Sequence, residues 1–244
     1  MAKPKKQIKI LMTGCSGTLG TEILKLDSKI IAPSHKELDI TDYNSVLRAI
    51  KKYKPNVVLH LAAASPPKCI KDPKLGLIIN IIGTSNVAMV CLKFGIKLVY
   101  VSTDYVYVGR GPHKETEPIL TSLPWSWSKM GGECAAQIVP KSLILRPSFG
   151  PRPFPWKKVF KNHYTSRLYI DEAAPIILAA TKSSAEGIMN IGGPRVTLET
   201  YARRTSPKVI AVPRPNWFPQ DTSFDLTKMK EELGIKDLRS VLKH

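Results

Sequence analysis

Apolar residues along this chain form short runs that alternate with stretches of helical periodicity. The short runs predict buried strands, and they lie at residues 8–12, 29–32, 56–60, 97–101 and 142–145. The stretches between them repeat apolar residues at helical spacing and predict helices at residues 19–26, 45–53, 78–94 and 125–138. Such alternation is typical of right-handed crossovers. It predicts an α/β fold, a Rossmann-type doubly wound parallel sheet with helices on both faces.

A proline-rich stretch at residues 146–155 interrupts the alternation and predicts the exit from the sheet domain. Residues 1–150 are therefore expected to form the sheet domain, and residues 151–244 a small C-terminal α/β lobe that binds substrate. In the lobe, the pattern predicts helices at residues 170–181, 197–204 and 226–233, and strands at residues 187–191 and 208–212. The segment 187–195 is a candidate for a strand that returns to the main sheet.

The composition indicates a soluble protein with one full core. The chain has 244 residues, of which 43% are hydrophobic, and its mean hydropathy is −0.10. No apolar segment reaches the length needed to cross a membrane, and the first residues lack the apolar run of a signal peptide. We therefore expect a cytoplasmic protein without a membrane partner.

The four cysteines do not form a metal-ligand or disulfide pattern. Cys15, Cys69, Cys91 and Cys134 are widely separated, without a CxxC pair and without a neighbouring histidine cluster. We expect reduced thiols and no metal site.

The charge balance is strongly basic, with 37 Lys and Arg against 19 Asp and Glu and a formal net charge of +18. This charge supports the steering of polyanions such as nucleotide diphosphates, and it is compatible with nucleic-acid binding. The basic residues are scattered, however, without a long run or an aromatic-interleaved stripe. The pattern therefore disfavours a dedicated nucleic-acid function.

A glycine-rich turn follows the first predicted strand and opens the first predicted helix. Its sequence from Thr13 to Gly20 has GxxGxxG spacing, which lets the backbone approach a pyrophosphate at the positive end of a helix. Strand before and helix after favour dinucleotide binding over a purely structural loop. The candidate cofactor contacts here are Gly14, Ser16, Gly17, Thr18, Leu19 and Gly20.

The end of the second predicted strand carries basic residues instead of a carboxylate. A ribose with a free 2′-hydroxyl usually meets Asp or Glu there, whereas a 2′-phosphate favours basic or hydroxyl partners. His35 and Lys36 therefore predict NADP over NAD. The alternative, that both are solvated loop residues of a basic chain, stays open.

Several further segments resemble the extended short-chain dehydrogenases, and most of all the dTDP-4-dehydrorhamnose reductase group. The similarity covers residues 8 to about 150 strongly and residues 169–174 and 189–193 more weakly. It is carried by residues 37–42 (ELDITD), 57–63 (VVLHLAA), Asn80, 102–106 (STDYV) and the Lys129, Gly132 and Glu133 spacing.

The resemblance implies roles for individual residues. By position, Asp39 and Ile40 would contact the adenine, Leu61, Ala62 and Ala63 would line the cofactor, and Asn80 would support the helix and a water chain. Thr103 would bind the substrate oxygen, Lys129 the nicotinamide ribose, and Pro147 and Ser148 the carboxamide. Simpler functions stay open for some of them: Ala62 and Ala63 as close-packing residues, and Asp39 as the cap of a turn.

The chain departs from this family at Trp125. The family has a tyrosine there, four residues before the lysine, and its phenol protonates the substrate oxygen. An indole N–H donates hydrogen bonds but is not a usable acid near neutral pH. In one explanation another donor serves, either Tyr105, which follows Thr103 on the same loop, or ordered water.

In the other explanation the chain binds the cofactor without turnover, like the regulatory subunit of methionine adenosyltransferase, which is similar to the same reductases. The resemblance thus implies an NADP-dependent reductase of a 4-keto nucleotide sugar. A silent regulatory protein and a nucleotide-sugar epimerase are the alternatives. A homodimer or a regulatory partner protein is compatible with each.

Overall fold

Short strands and helices alternate along the chain in the computed structural model, which describes residues 8–121, 123–216 and 218–242. The strands are β1 Ile10–Thr13, β2 Val57–His60, β3 Lys97–Val101, β4 Leu143–Pro147, β5 Phe149–Gly150, β6 Lys158–Phe160, β7 Tyr164–Thr165, β8 Leu168–Tyr169, β9 Gly187–Ile191, β10 Val196–Thr197, β11 Ile210–Val212 and β12 Asp221–Thr222. The α-helices are α1 Thr18–Leu26, α2 Tyr43–Tyr53, α3 Pro66–Lys71, α4 Thr84–Phe94, α5 Pro124–Gln137, α6 Ile170–Lys182, α7 Leu198–Arg203 and α8 Thr227–Leu233. A π-helix spans Gly76–Gly83, and 3-10 turns span Asp104–Val106 and Leu238–Val241.

The central sheet is parallel and has the order β1-β2-β3-β4-β9. Its strands are apolar and almost wholly buried because helices cover both faces. On one face α1 and α6 pack together, and on the other α2, α4 and α5 enclose a second apolar cluster. This architecture confirms the predicted Rossmann-type α/β fold.

The predicted strand at residues 29–32 is wrong as a full strand. The chain pairs with β1 at a single bridge, between Leu11 and Ile31. Two backbone hydrogen bonds hold it, from Met12 N to Ile31 O at 2.8 Å and from Ile31 N to Ile10 O at 2.9 Å. Pairing stops there because Pro33 has no N–H, and the backbone then turns at Ser34.

The helix predicted at residues 78–94 begins earlier and is not uniform. Its first part is the π-helix, which continues directly into α4. Neighbours approach this segment closely: a Cβ on Gly83 would lie 2.7 Å from the Ile40 side chain, and a Cβ on Gly132 would lie 2.5 Å from the Asn80 carbonyl oxygen. The wider turn puts Asn80 next to α5. Such π-helical turns are often found at functional sites.

The same continuous helix, Gly76–Phe94, corrects the expectation that no segment is long and apolar enough to cross a membrane. Its most apolar window has a mean hydropathy of 1.7, but 44% of that window is buried. The helix packs against α2 and α5. Core helices of soluble domains pass the same length and composition test, so this helix is weak evidence for a membrane span.

Most of the strands after residue 150 form small sheets beside a separate apolar cluster. The strands pair in the orders β10-β7-β12 and β11-β6. Phe154, Tyr169 and Tyr201 form the aromatic part of the cluster. One strand of this region, β9, lies in the central sheet beside β4. The division of the chain at residue 150 stays a prediction.

Candidate functional site

The carboxyl ends of β1, β2, β3 and β4 border a cavity of about 520 Å³. Ligands of open parallel sheets bind at this edge. The predicted residues that line it are Gly14, Gly17, Thr18, Leu19, Gly20, Leu61, Ala63, Thr103, Tyr105, Trp125, Lys129 and Pro147. The fold therefore brings the glycine-rich turn together with the residues expected to do chemistry.

The glycine-rich turn needs its glycines. Gly14 has φ +71°, and a Cβ there would lie 2.5 Å from Ala62 N. A Cβ on Gly20 would lie 2.6 Å from the Gly14 carbonyl oxygen. The N-cap of α1, Gly17, provides no side-chain cap within the described residues, so the first N–H groups of the helix are open to an anion. Ser16 is exposed at this turn.

Other predicted cofactor residues lie outside the cavity wall. His35 and Lys36 are exposed. The Asp39 carboxylate accepts hydrogen bonds from Thr41 N at 2.9 Å and from Thr41 Oγ1 at 2.8 Å, and Ile40 packs against Gly83. These contacts give Asp39 and Ile40 a structural role in the fold. Their contact with the adenine stays a prediction, and so do the cofactor contacts of His35 and Lys36.

Asn80 organises the wall behind Trp125. Its side-chain oxygen accepts from Ala64 N at 2.7 Å, and its Nδ2 donates to Ser128 Oγ at 2.8 Å. The Trp125 indole Nε1 donates to Ala64 O at 2.8 Å. Since Asn80 is fully buried, it acts as a support of the wall rather than as part of its surface. A hydrogen bond also fixes Ala62, whose backbone N–H donates to Thr13 Oγ1 at 3.3 Å.

Asp104 accepts hydrogen bonds from the hydroxyl groups of Thr103 and Ser148, two residues that were predicted to bind the substrate or the cofactor. Thr103 Oγ1 donates to Asp104 Oδ1 at 3.1 Å, and Ser148 Oγ donates to Asp104 Oδ2 at 2.6 Å. Thr103 Oγ1 also accepts from Tyr105 N at 3.2 Å. Thr103 therefore has to release Asp104 before its proton can reach a substrate oxygen.

Lys129 lies one helical turn after Trp125 on α5 and is 4% exposed. Its Nζ donates to Val101 O at 2.8 Å and lies 4.2 Å from the centre of the Tyr100 ring. Burial lowers the pKa of Lys129 to about 7, against the opposite effect of Glu133. This ammonium group is therefore poised to lose a proton in the neutral range.

The sequence profile of the family described as RmlD substrate binding domain matches residues 8–150, which is more than half of the chain. The chain belongs to the RmlD substrate-binding domain family. It is 33% identical over 150 residues to the dTDP-4-dehydrorhamnose reductase of Aggregatibacter actinomycetemcomitans, covering 58% of this chain and 51% of that protein. It is 30% identical over 138 residues to methionine adenosyltransferase 2 subunit beta of Xenopus laevis, covering 51% of this chain and 41% of that protein.

The RmlD-family chain spans about half the length of the curated relatives it matches. Its fold is shared more fully: the crystal structure of dTDP-4-dehydrorhamnose reductase from Bacillus anthracis in complex with NADP has a TM-score of 0.79 to this chain. That likeness covers 92% of each chain at 22% sequence identity. At this identity it shows the Rossmann-type fold alone.

Tyr105, the surrogate donor proposed from the sequence, lines the cavity and is 37% exposed. Its ring meets Trp125 edge-on, with ring centres 6.2 Å apart. The burial of its hydroxyl group raises the pKa of Tyr105, an effect that Arg167 opposes and Asp104 reinforces. Tyr105 is therefore a weaker acid than an ordinary tyrosine.

Sequence reasoning missed Arg167, which lies between β7 and β8 and lines the cavity. Its Nε is buried without a hydrogen-bond partner among the described residues. Arg167 also lines a neighbouring cavity of about 600 Å³ whose walls include Phe154, Trp156, Phe160 and Phe218. No motif surrounds Arg167 in the sequence, and a lone arginine beside a two-residue strand gave no signal.

Proposed function

We propose that this chain is an NADP-dependent reductase of a 4-keto nucleotide sugar. One observation carries the proposal: a single cavity joins an anion-accepting helix start to Thr103 and Lys129, and Arg167 connects that cavity to an aromatic one. The family relative named dTDP-4-dehydrorhamnose reductase supports the same reaction class. Because the chain spans about half of that relative, its activity and substrate are proposals.

The residues around the glycine-rich turn fit the cofactor. Gly14 and Gly20 leave room that a Cβ would fill, and the open N–H groups of α1 suit a pyrophosphate. The nicotinamide would meet Pro147, at the end of β4 in the same cavity wall. When bound, NADPH supplies a hydride to a carbonyl carbon.

The neighbourhood of Arg167 fits a nucleotide. A guanidinium with an unpaired Nε is a strong partner for a diphosphate. The aromatic cavity beyond it offers Trp156 for stacking with a planar base, and the exposed Lys157 and Lys158 add positive charge. A sugar linked through the diphosphate would then reach towards Thr103 and Lys129.

Trp125 limits the rate of this reaction. The indole N–H is held by Ala64 O, and it is not an acid near neutral pH. General-acid protonation contributes about 10²–10⁴-fold to such steps. We therefore expect slow reduction by the native chain.

The test is NADPH oxidation with a dTDP-4-keto-6-deoxy sugar. Trp125→Tyr should raise turnover by about tenfold or more, because the new phenol would lie one turn from the Lys129 ammonium group, which lowers its pKa. Trp125→Phe is the matched control: it also removes the indole but adds no acid, and it should not gain activity. An equal gain in both variants would contradict the role given to the phenol.

A silent cofactor-binding function is the second candidate. The bond between the Trp125 indole and Ala64 O favours it, because this bond fixes a non-acidic side chain at the reacting end of the cavity. The relatives named methionine adenosyltransferase 2 subunit beta are consistent with a regulatory role. Tight NADPH binding without turnover in either native chain or Trp125→Tyr would favour this candidate.

A further inference from the structure

The reduction needs a proton for the carbonyl oxygen, and several donors around the cavity are already committed. Trp125 Nε1 donates to Ala64 O at 2.8 Å. The hydroxyl groups of Thr103 and Ser148 both donate to Asp104, at 3.1 and 2.6 Å. Each of these groups would have to give up a hydrogen bond before it could serve a substrate.

Two other hydroxyl groups are poor acids. Burial raises the pKa of Tyr105, and this effect outweighs the opposite effect of Arg167. Ser102 lines the cavity with a buried Oγ that has no partner among the described residues, but an aliphatic alcohol does not release a proton near neutral pH. Neither group replaces a phenol whose pKa a lysine has lowered.

Lys129 has donors left. One of its three N–H groups binds Val101 O at 2.8 Å, while the Tyr100 ring lies on another side of the ammonium group. Within the described part of the chain Lys129 forms no ion pair, because Glu133, one turn further on, is held by Arg146. Lys129 lines the same cavity as Thr103 and Trp125.

We propose that the Lys129 ammonium group itself donates the proton to the substrate carbonyl oxygen. This inference rests on the proposed function. When bound, NADPH would give its hydride to the carbonyl carbon and become NADP⁺, while the carbonyl oxygen takes a proton from Lys129 Nζ. The C=O group becomes an alcohol, and Lys129 is left as a neutral amine that regains a proton from water.

The surroundings of Lys129 support a donor that works near neutral pH. Burial lowers its pKa to about 7, and Glu133 opposes this effect. His60, on β2, does not compete for the proton, because burial, assisted by the Lys129 charge, lowers its own pKa to about 3. The titratable and charged groups that face Lys129 or share its cavity are His60, Lys68, Tyr100, Asp104, Tyr105, Glu133 and Arg167.

A first experiment measures the proton itself, without turnover. In protein labelled with ¹³C at the lysine methylene next to Nζ, one NMR resonance should titrate near pH 7 and should be absent from Lys129→Met. A Lys129 resonance that titrates above about pH 9.5, close to an ordinary lysine, would overturn the proposal.

A second experiment follows NADPH oxidation across pH. The rate should be constant below pH 7 and fall above it, because the donor must be protonated. Lys129→Arg keeps the charge but scarcely releases a proton, so it should lose about 100-fold or more in turnover, as should Lys129→Met. Lys93→Met, on the exposed side of α4, is the control and should match the native chain.

The outcomes separate this inference from the proposed function. Turnover that survives Lys129→Arg, or that Tyr105→Phe abolishes instead, overturns the Lys129 role and leaves the reductase intact. No turnover in the native chain or in Trp125→Tyr, despite NADPH binding by calorimetry, overturns both.

Discussion

At the scale of single residues, His35 and Lys36 are expected to make the chain prefer NADP over NAD. Both side chains are exposed after Pro33, whose carbonyl accepts from Cys15 Sγ of the glycine-rich turn at 3.2 Å. This contact brings the start of their loop to the turn expected to hold the pyrophosphate. A 2′-phosphate there would gain charge-assisted hydrogen bonds.

We therefore expect calorimetry to show tighter binding of NADPH than of NADH. Replacing both His35 and Lys36 by Ala should remove most of this preference, about 1 kcal/mol, because each contact is an exposed one. Lys93→Ala, far along α4, should keep the preference. Equal affinities of the native chain for the two cofactors would remove the role of both residues.

Residues within contiguous motifs could be placed from the sequence, and residues fixed by tertiary packing could not. The glycine spacing predicted the turn because a strand and a helix flank it directly, and the family resemblance implied Lys129, four residues after Trp125 on one helix. The sharing of Asp104 by Thr103 and Ser148 joins loops 44 residues apart and has no sequence signal. Arg167 likewise has no sequence signal, because tertiary packing brings it to the cavity.

At the scale of elements, one buried ion pair ties α5 to the sheet. Arg146 on β4 donates to Glu133 from Nε at 3.2 Å and from Nη2 at 2.5 Å, and the two side chains are 2% and 0% exposed. Arg146 Nη1 also donates to Tyr107 OH at 2.7 Å. The pair thus fixes the helix that carries Trp125 and Lys129.

Glu133→Gln should lower the free energy of unfolding by about 3–5 kcal/mol, because it leaves Arg146 buried without a counter-charge. Urea unfolding measures the change. The double variant with Arg146→Met should recover part of the loss, since no lone charge remains buried. A loss below about 1 kcal/mol in the single variant would show that the pair does not hold α5.

Elements that depend on tertiary contacts were the least predictable. Residues 29–32 have the apolar character of a strand, yet Pro33 reduces their pairing to one bridge. The π-helix at Gly76–Gly83 likewise arises from the close approach of α5, which no local pattern encodes. The helices with strong amphipathic patterns, such as α2, lie within two residues of their expected bounds.

At the scale of the whole molecule, the +18 charge is expected to steer anionic ligands rather than to hold nucleic acid. Binding to a random DNA duplex should be weak at low salt and lost near about 150 mM salt, since counterion release makes non-specific binding strongly salt-dependent. Fluorescence anisotropy of a labelled duplex measures it. Tight binding that persists at that salt would point to a nucleic-acid function.

The position of β9 affects how the protein is made. The outer edge of β4 is covered by a strand that is synthesised well after it, beyond the whole of α6. On the ribosome, the backbone N–H and C=O groups on this edge of β4 therefore stay unpaired until Gly187–Ile191 emerges. An uncovered apolar strand edge can pair with other chains. Any shortened form of the protein should retain β9, and a chaperone that shields this edge during synthesis would be expected to raise the yield.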